Sequence, residues 1–191
     1  DLACGNSASS SKTYNYVYSS DPSSLNYLAE NRATTNDIVT NLVDGLMEND
    51  QYGNYVPSLA EDWSVSKDGL TYTYKLRKDA KWSNGDPVTA HDFEYAWKRV
   101  VDPDTAAEYA YIMYDIKNAE DINMGKKDID DLGVTALDDH TLKVELTKPI
   151  PYINEIICYT VFYVSLLLLI MLLIFIHIAA SFRSLFLFIA E

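Results

Sequence analysis

Three histidines, two cysteines and one dense acidic run are the side chains whose types could do catalysis or hold a metal. His91 stands in AHDFEYAW, His140 in DDHTL and His177 in IFIHIAA, and none belongs to a visible set of nucleophile, base and orienting group. His91 falls in the first turn of an expected helix. His140 falls in an expected hairpin turn beside two Asp residues, so solvated side chains are expected at both. The run DIDDLG, residues 128–133, begins as a calcium loop would, but Leu132 sits where the third ligand belongs and no Glu closes the loop at the twelfth position. A solvated acidic turn is the expectation there. No carboxylate pair is placed for glycoside work, and no Gly-rich phosphate loop sits between a strand and a helix. The sequence therefore predicts no enzyme, and it calls for no metal and no cofactor.

The cysteines lie too far apart to imply a disulfide framework or a metal site. Cys158, inside INEIICYTVFY, is expected to be a buried apolar residue. Cys4 sits in LACGNSASSSK, where a small residue precedes it and a Ser-rich polar stretch follows, the pattern around the acylated cysteine of a bacterial lipoprotein. A Ser/Gly segment buries too little apolar surface to fold, so residues 1–13 are read as a tether, with Cys4 as the candidate lipid attachment and a chance cysteine in a flexible tail as the alternative.

Charge divides the chain in two. Residues 1–149 hold 14 basic and 26 acidic side chains, which leaves −12 of the formal −13. Such a surface repels phosphate backbones, and no Lys/Arg cluster interleaved with aromatics offsets it, so nucleic acid is not an expected partner. By contrast, the 27 residues between Glu155 and Arg183 carry no formal charge.

The elements that would position a site follow from pattern. Tyr14, Tyr16 and Tyr18 alternate with smaller or polar neighbours, which predicts a strand stopped by Asp21-Pro22. Thr34 and Asp37 have capping-box spacing, and Ile38, Val39, Leu42, Val43, Leu46 and Met47 line one face of the helix they would start. Asn49 to Gly53 reads as a turn. Asp68-Gly69 divides a hairpin whose second strand alternates Leu70, Tyr72, Tyr74 and Leu76. Thr89, three residues before Asp92, caps a helix whose buried face is Phe93, Ala96, Trp97, Val100 and Val101, and Asp102-Pro103 ends it. A looser helical region spans 104–127. A second hairpin pairs Val134–Leu137 with Leu142–Leu146. The fold class is mixed α/β.

The string LAEDWSVSKDGLTYTYKLRKDAKWSNGDPVTAHDFEYAWKRVVDPDTAAEYAYIMY, followed by DLGVTALDDHTLKVELTKPIPY, resembles the extracytoplasmic oligopeptide-binding proteins of ABC importers, of the family 5 solute-binding type. The resemblance rests on the order of LAE-W, a DG turn, LRKDAKW, S-G-PVTA-DF and W-R-VDP, and runs from about Tyr14 to Tyr163. It implies the N-terminal fragment of a two-lobed periplasmic-binding-protein-like fold: 14–57 start the larger lobe, 58–150 form a smaller α/β lobe, and 151–163 return toward the larger lobe. It also implies oligopeptides as ligands, permease subunits as partners, and an extracytoplasmic lipoprotein of Gram-positive type. Such sites grip the peptide main chain by β-type hydrogen bonds and leave side chains in hydrated pockets. Carried onto this sequence, the segment from Glu30 to Thr34 matches the family's first ligand-contacting stretch, so Asn31, Arg32, Ala33 and Thr34 are expected at the peptide, with Asn31 and Ala33 offering backbone groups. Tyr109 matches an aromatic that faces the peptide from the smaller lobe; by spacing alone it reads as a packing tyrosine.

From Ser165 the chain departs from the family into SLLLLIMLLIFIHIAASFRSLFLFIAE. Residues 161–182 exceed the ~20 apolar residues that span a bilayer, so an apolar C-terminal helix inserting in a membrane is one reading of 164–191. A reading frame broken just after Tyr163 is the economical one, and a buried hydrophobic element is the third. With most of the partner lobe missing, a truncated chain is expected to bind peptides weakly or not at all. A membrane-anchored surface adhesion or partner-binding protein is the rival function.

Overall fold

A computed structural model describes residues 25–28 and 32–163. The expected tether, the expected strand at Tyr14–Tyr18, Cys4, Asn31 and the apolar tail lie outside the described residues. Among the described residues, no helix is long and apolar enough to cross a membrane.

Helix α1 spans Ala33–Val39 and is followed by a two-stranded antiparallel ribbon, β1 (Met47–Asn49) and β2 (Tyr55–Pro57). The turn expected at 49–53 joins these strands. Asp50 holds it by accepting from Asn54 Nδ2 at 3.0 Å and from the backbone N–H groups of Asn54 and Tyr52 at 2.9 and 2.8 Å; the Asn54 side-chain bond, then these backbone bonds, lower its carboxyl pKa.

The helix differs from its expectation at both ends. Arg32, extended at φ −101° and ψ 143°, is the N-cap, so Thr34 lies inside the first turn rather than capping it. Its neighbour Thr35 is fully buried. The helix also stops at Val39. There Thr40 Oγ1 donates to the carbonyls of Asn36 and Asp37, and Asn41 Nδ2 donates to that of Asp37, so short polar side chains satisfy the last turn. Leu42, expected on the buried face, is 70% exposed, and Met47 belongs to β1.

The main body is a four-stranded antiparallel sheet in the order β3-β4-β6-β5, with β3 at Ala60–Val65, β4 at Thr71–Leu76, β5 at Val134–Asp138 and β6 at Thr141–Glu145. Both expected hairpins form, and β4 pairs with β6 from Thr71–Glu145 to Lys75–Thr141. Tyr72, Tyr74 and Leu76 point to the core from β4, as do Leu142 and Val144 from β6. Gly69 takes φ +72° in the first hairpin turn, a conformation a Cβ would disfavour.

Helix α2, Ala90–Val101, covers this sheet. Its start is a capping box: the Thr89 N–H donates to Asp92 Oδ2 at 2.8 Å, and Asp92 also places negative charge at the positive end of the helix dipole. Phe93, Ala96, Trp97, Val100 and Val101 are all fully buried, the face expected from their spacing. Asp102 caps the end of the helix, and Pro103 comes after it. The looser region resolves into a short 3-10 turn at Ala110–Met113 and helix α3 at Ala119–Asn123. Helix α4, Ile153–Ile157, and a 3-10 turn at Thr160–Phe162 close the described chain.

Candidate functional site

The α1 start and the Tyr109 turn are the described parts of the expected peptide site. Arg32 is exposed and extended; Ala33 is exposed and Thr34 half-buried at the first two helical positions. What fixes this end is tertiary. Thr160 Oγ1 donates to Asn36 Oδ1 at 3.2 Å, tying α1 to the segment after α4. That segment is locked in turn to α2, because Trp97 Nε1 donates to the Phe162 carbonyl at 2.8 Å and the two rings meet edge to face at 5.0 Å.

Tyr109 precedes the 3-10 turn with φ −111° and ψ 18°, packs partly against the core, and has its ring 5.6 Å from that of Tyr111. Tyr111 is 57% exposed. Arg32 to Thr34 stand at the start of α1 and Tyr109 at the start of the 3-10 turn, so the two parts of the expected site stand on separate elements.

Two grooves lie elsewhere. One, of about 730 Å³, is lined by Pro57, Ser58, Glu61, Arg77, Lys78 and Asp79. In its lining Arg77 Nε donates to Asp79 Oδ1 at 2.9 Å, and this pair lowers the Asp79 carboxyl pKa and raises that of the guanidinium. The other, of about 360 Å³, lies between the β1–β2 turn and α4, beside Cys158 and Tyr159. Neither is lined by an expected peptide residue.

Among the described residues, the other side chains singled out from the sequence have the following surroundings. Cys158 is buried, its Sγ 3.2 Å from the Asn154 carbonyl that accepts its hydrogen, and burial pushes its thiol up to about 11. In the run 128–133, Asp128 caps a short turn and Asp130 accepts from Lys98 Nζ at 2.7 Å. Among the described residues, no three His, Cys, Asp or Glu side chains are grouped to hold a metal. His91 is exposed, with Nε2 3.6 Å from Asp139 Oδ1. His140 differs from expectation: the turn tucks against the start of α2, where Asp139 O accepts from Ala90 N, and His140 Nδ1 is buried without a hydrogen-bond partner.

Asn154 is the residue that sequence reasoning passed over. Buried between Ile153 and the charged Glu155 in α4, it accepts from Tyr74 Oη at 2.8 Å and so pins α4 to the sheet, while Tyr72 Oη donates to the Ile150 carbonyl at 3.2 Å. An Asn within IPYINEIICY was the signal, but its partner lies 80 residues away in the chain.

The model of bacterial extracellular solute-binding proteins, family 5 Middle, matches residues 54–182. The chain belongs to this family. The matched range includes the whole sheet and α2 and ends within the apolar tail. The chain is 60% identical over 159 residues to the oligopeptide-binding protein AliB of Streptococcus pneumoniae, an alignment covering 80% of this chain and 24% of AliB. It is 44% identical over 151 residues to the oligopeptide-binding protein OppA of Bacillus subtilis, covering 79% of this chain and 27% of OppA. Among solved structures, OppA of Listeria monocytogenes bound to peptide aligns with a TM-score of 0.73 at 43% identity, over 75% of this chain and 28% of that one. OppA of Haemophilus influenzae in complex with RPPGFSPFR gives the same score and identity over the same shares. The chain thus spans about a quarter of the length of these relatives. The mixed α/β body is a fragment of the two-lobed solute-binding fold.

Proposed function

We propose that this chain supplies part of the substrate-binding component of an ABC importer that captures oligopeptides outside the cytoplasm. The observation that carries the reading is the likeness of the sheet and helix body to peptide-bound OppA, at 43% identity and a TM-score of 0.73. In this reading Asn31, Arg32, Ala33 and Thr34 offer main-chain groups to an extended peptide, and Tyr109 presses on it from the smaller lobe. Backbone hydrogen bonds are available from every peptide, so broad sequence tolerance follows. Cys4 carries a lipid that keeps the protein at the membrane, and permease subunits receive the cargo.

The test is a chimera in which residues 14–163 replace the corresponding quarter of AliB, assayed by calorimetry against mixed oligopeptides. Binding in the micromolar range or tighter is expected. It should weaken by roughly tenfold, about 1.4 kcal/mol, on Tyr109→Ala. Residues 14–163 alone are expected to bind far more weakly than the chimera, because they match only about a quarter of the relatives' length. A folded chimera with no peptide affinity would overturn the proposal.

A further inference from the structure

The turn before α2 holds an Asn-Gly pair that stands apart in sequence from the residues proposed for peptide capture. In Trp82-Ser83-Asn84-Gly85-Asp86-Pro87 the side-chain amide of Asn84 is held at both ends: its Oδ1 accepts from the backbone N–H of Asp86 at 3.0 Å, and its Nδ2 donates to Asp86 Oδ2 at 2.7 Å. Gly85 follows with φ +94°, and nothing lies within 4 Å of where a Cβ would be. Both residues are exposed. The Gly85 N–H is engaged with the Trp82 carbonyl at 2.9 Å.

We propose that Asn84 is a site of spontaneous deamidation through a cyclic imide with Gly85. The Gly85 nitrogen loses its proton to a base in solvent and bonds to Cγ of Asn84. The Asp86 N–H already sits on the amide oxygen where negative charge then develops. The Cγ–Nδ2 bond breaks and the nitrogen leaves as ammonia after taking up a proton. Water then adds to either carbonyl of the five-membered imide and opens it to aspartate or isoaspartate, with no change of oxidation state. Gly at the following position lets the backbone swing into the attacking geometry because no side chain obstructs it. The Gly85–Trp82 hydrogen bond must open first, so local breathing of this turn gates the step. The product replaces a hydrogen-bond donor with a second carboxylate facing Asp86, a like-charge contact in place of a 2.7 Å bond.

The experiment is incubation of the full chain in mildly alkaline buffer, followed by peptide mapping for the mass gain of amide-to-acid conversion. Asn84 should convert at least roughly tenfold faster than every other asparagine within residues 32–163, a barrier lower by about 1.4 kcal/mol. Its product should split into two isomers, and its rate should rise with pH. Asn84→Gln should abolish the conversion while far-ultraviolet circular dichroism stays unchanged. Conversion at another described asparagine ahead of Asn84, or a single product without isoaspartate, would overturn the proposal.

Discussion

At the scale of single residues, the buried Tyr74–Asn154 hydrogen bond shows how one polar pair can hold two elements together. Tyr74→Phe leaves Asn154 Oδ1 buried without this donor and should cost about 1–3 kcal/mol in urea unfolding. The double variant Tyr74→Phe, Asn154→Leu should cost less than the two single changes added together, because neither partner is then left unsatisfied. Cys158 gives a second residue-scale expectation. Its thiol, ordinarily near 9.0, is pushed up to about 11 by burial, with Glu48 and Glu155 adding to the shift. The folded protein therefore holds this proton more tightly than the unfolded chain. The sign follows: the contribution is fully present below the unfolded value and is lost as pH rises through the window between the two values. Alkylation of Cys158 by iodoacetamide at neutral pH should be slow in the folded chain and fast in urea, and fast labelling without urea would contradict the burial.

At the scale of elements, two capping-box patterns of the same spacing had different outcomes. Thr89 caps α2 because it is already extended, at φ −125° and ψ 165°, after a turn closed by the Lys81–Pro87 bridge, and Ala90 N is met by Asp139 O. Thr34 does not cap α1, because burial of Thr35 and the Asn36–Thr160 bond set where that helix begins. Thr89→Ala should therefore lower stability by about 1 kcal/mol. Thr34→Ala should change it by under about 0.5 kcal/mol in the same thermal melts, the size of a change at an unexceptional site. This contrast marks what was legible in the sequence. Both hairpins and α2 were readable because turn residues, strand alternation and helical spacing all agree within a short window. The end of α1 was not, because Thr40 and Asn41 compete for its last carbonyls, and Leu42 to Met47 keep an apolar spacing that serves a loop and a strand instead. The expectation of a peptide site at residues 31–34 and Tyr109 came only through likeness to the family. Nothing local distinguishes Tyr109, half-buried against Tyr111, from any packing tyrosine.

At the scale of the whole molecule, the start and end of the described body meet at Gly45. A Cβ placed there would come 2.9 Å from the ring of Tyr163, closer than such atoms approach, so Gly45→Ala should destabilise the chain by about 1–3 kcal/mol through overpacking. If the melting temperature of that variant equals the parent's, the packing of Tyr163 on this loop is wrong. The same body is stitched by Trp97 to Phe162 and by Asn36 to Thr160, contacts that join residues far apart in the chain. The strand order has a further consequence. Since β4 pairs with β6 across the seam from Thr71 to Glu145, its inner edge has no partner while the intervening segment, α2 included, is still being translated. The β3–β4 hairpin can close early and locally, but its sticky flank stays open until the ribosome has delivered β6. During that interval a nascent chain invites pairing with its neighbours, and a holdase that covers Tyr72 and Tyr74 would protect it best.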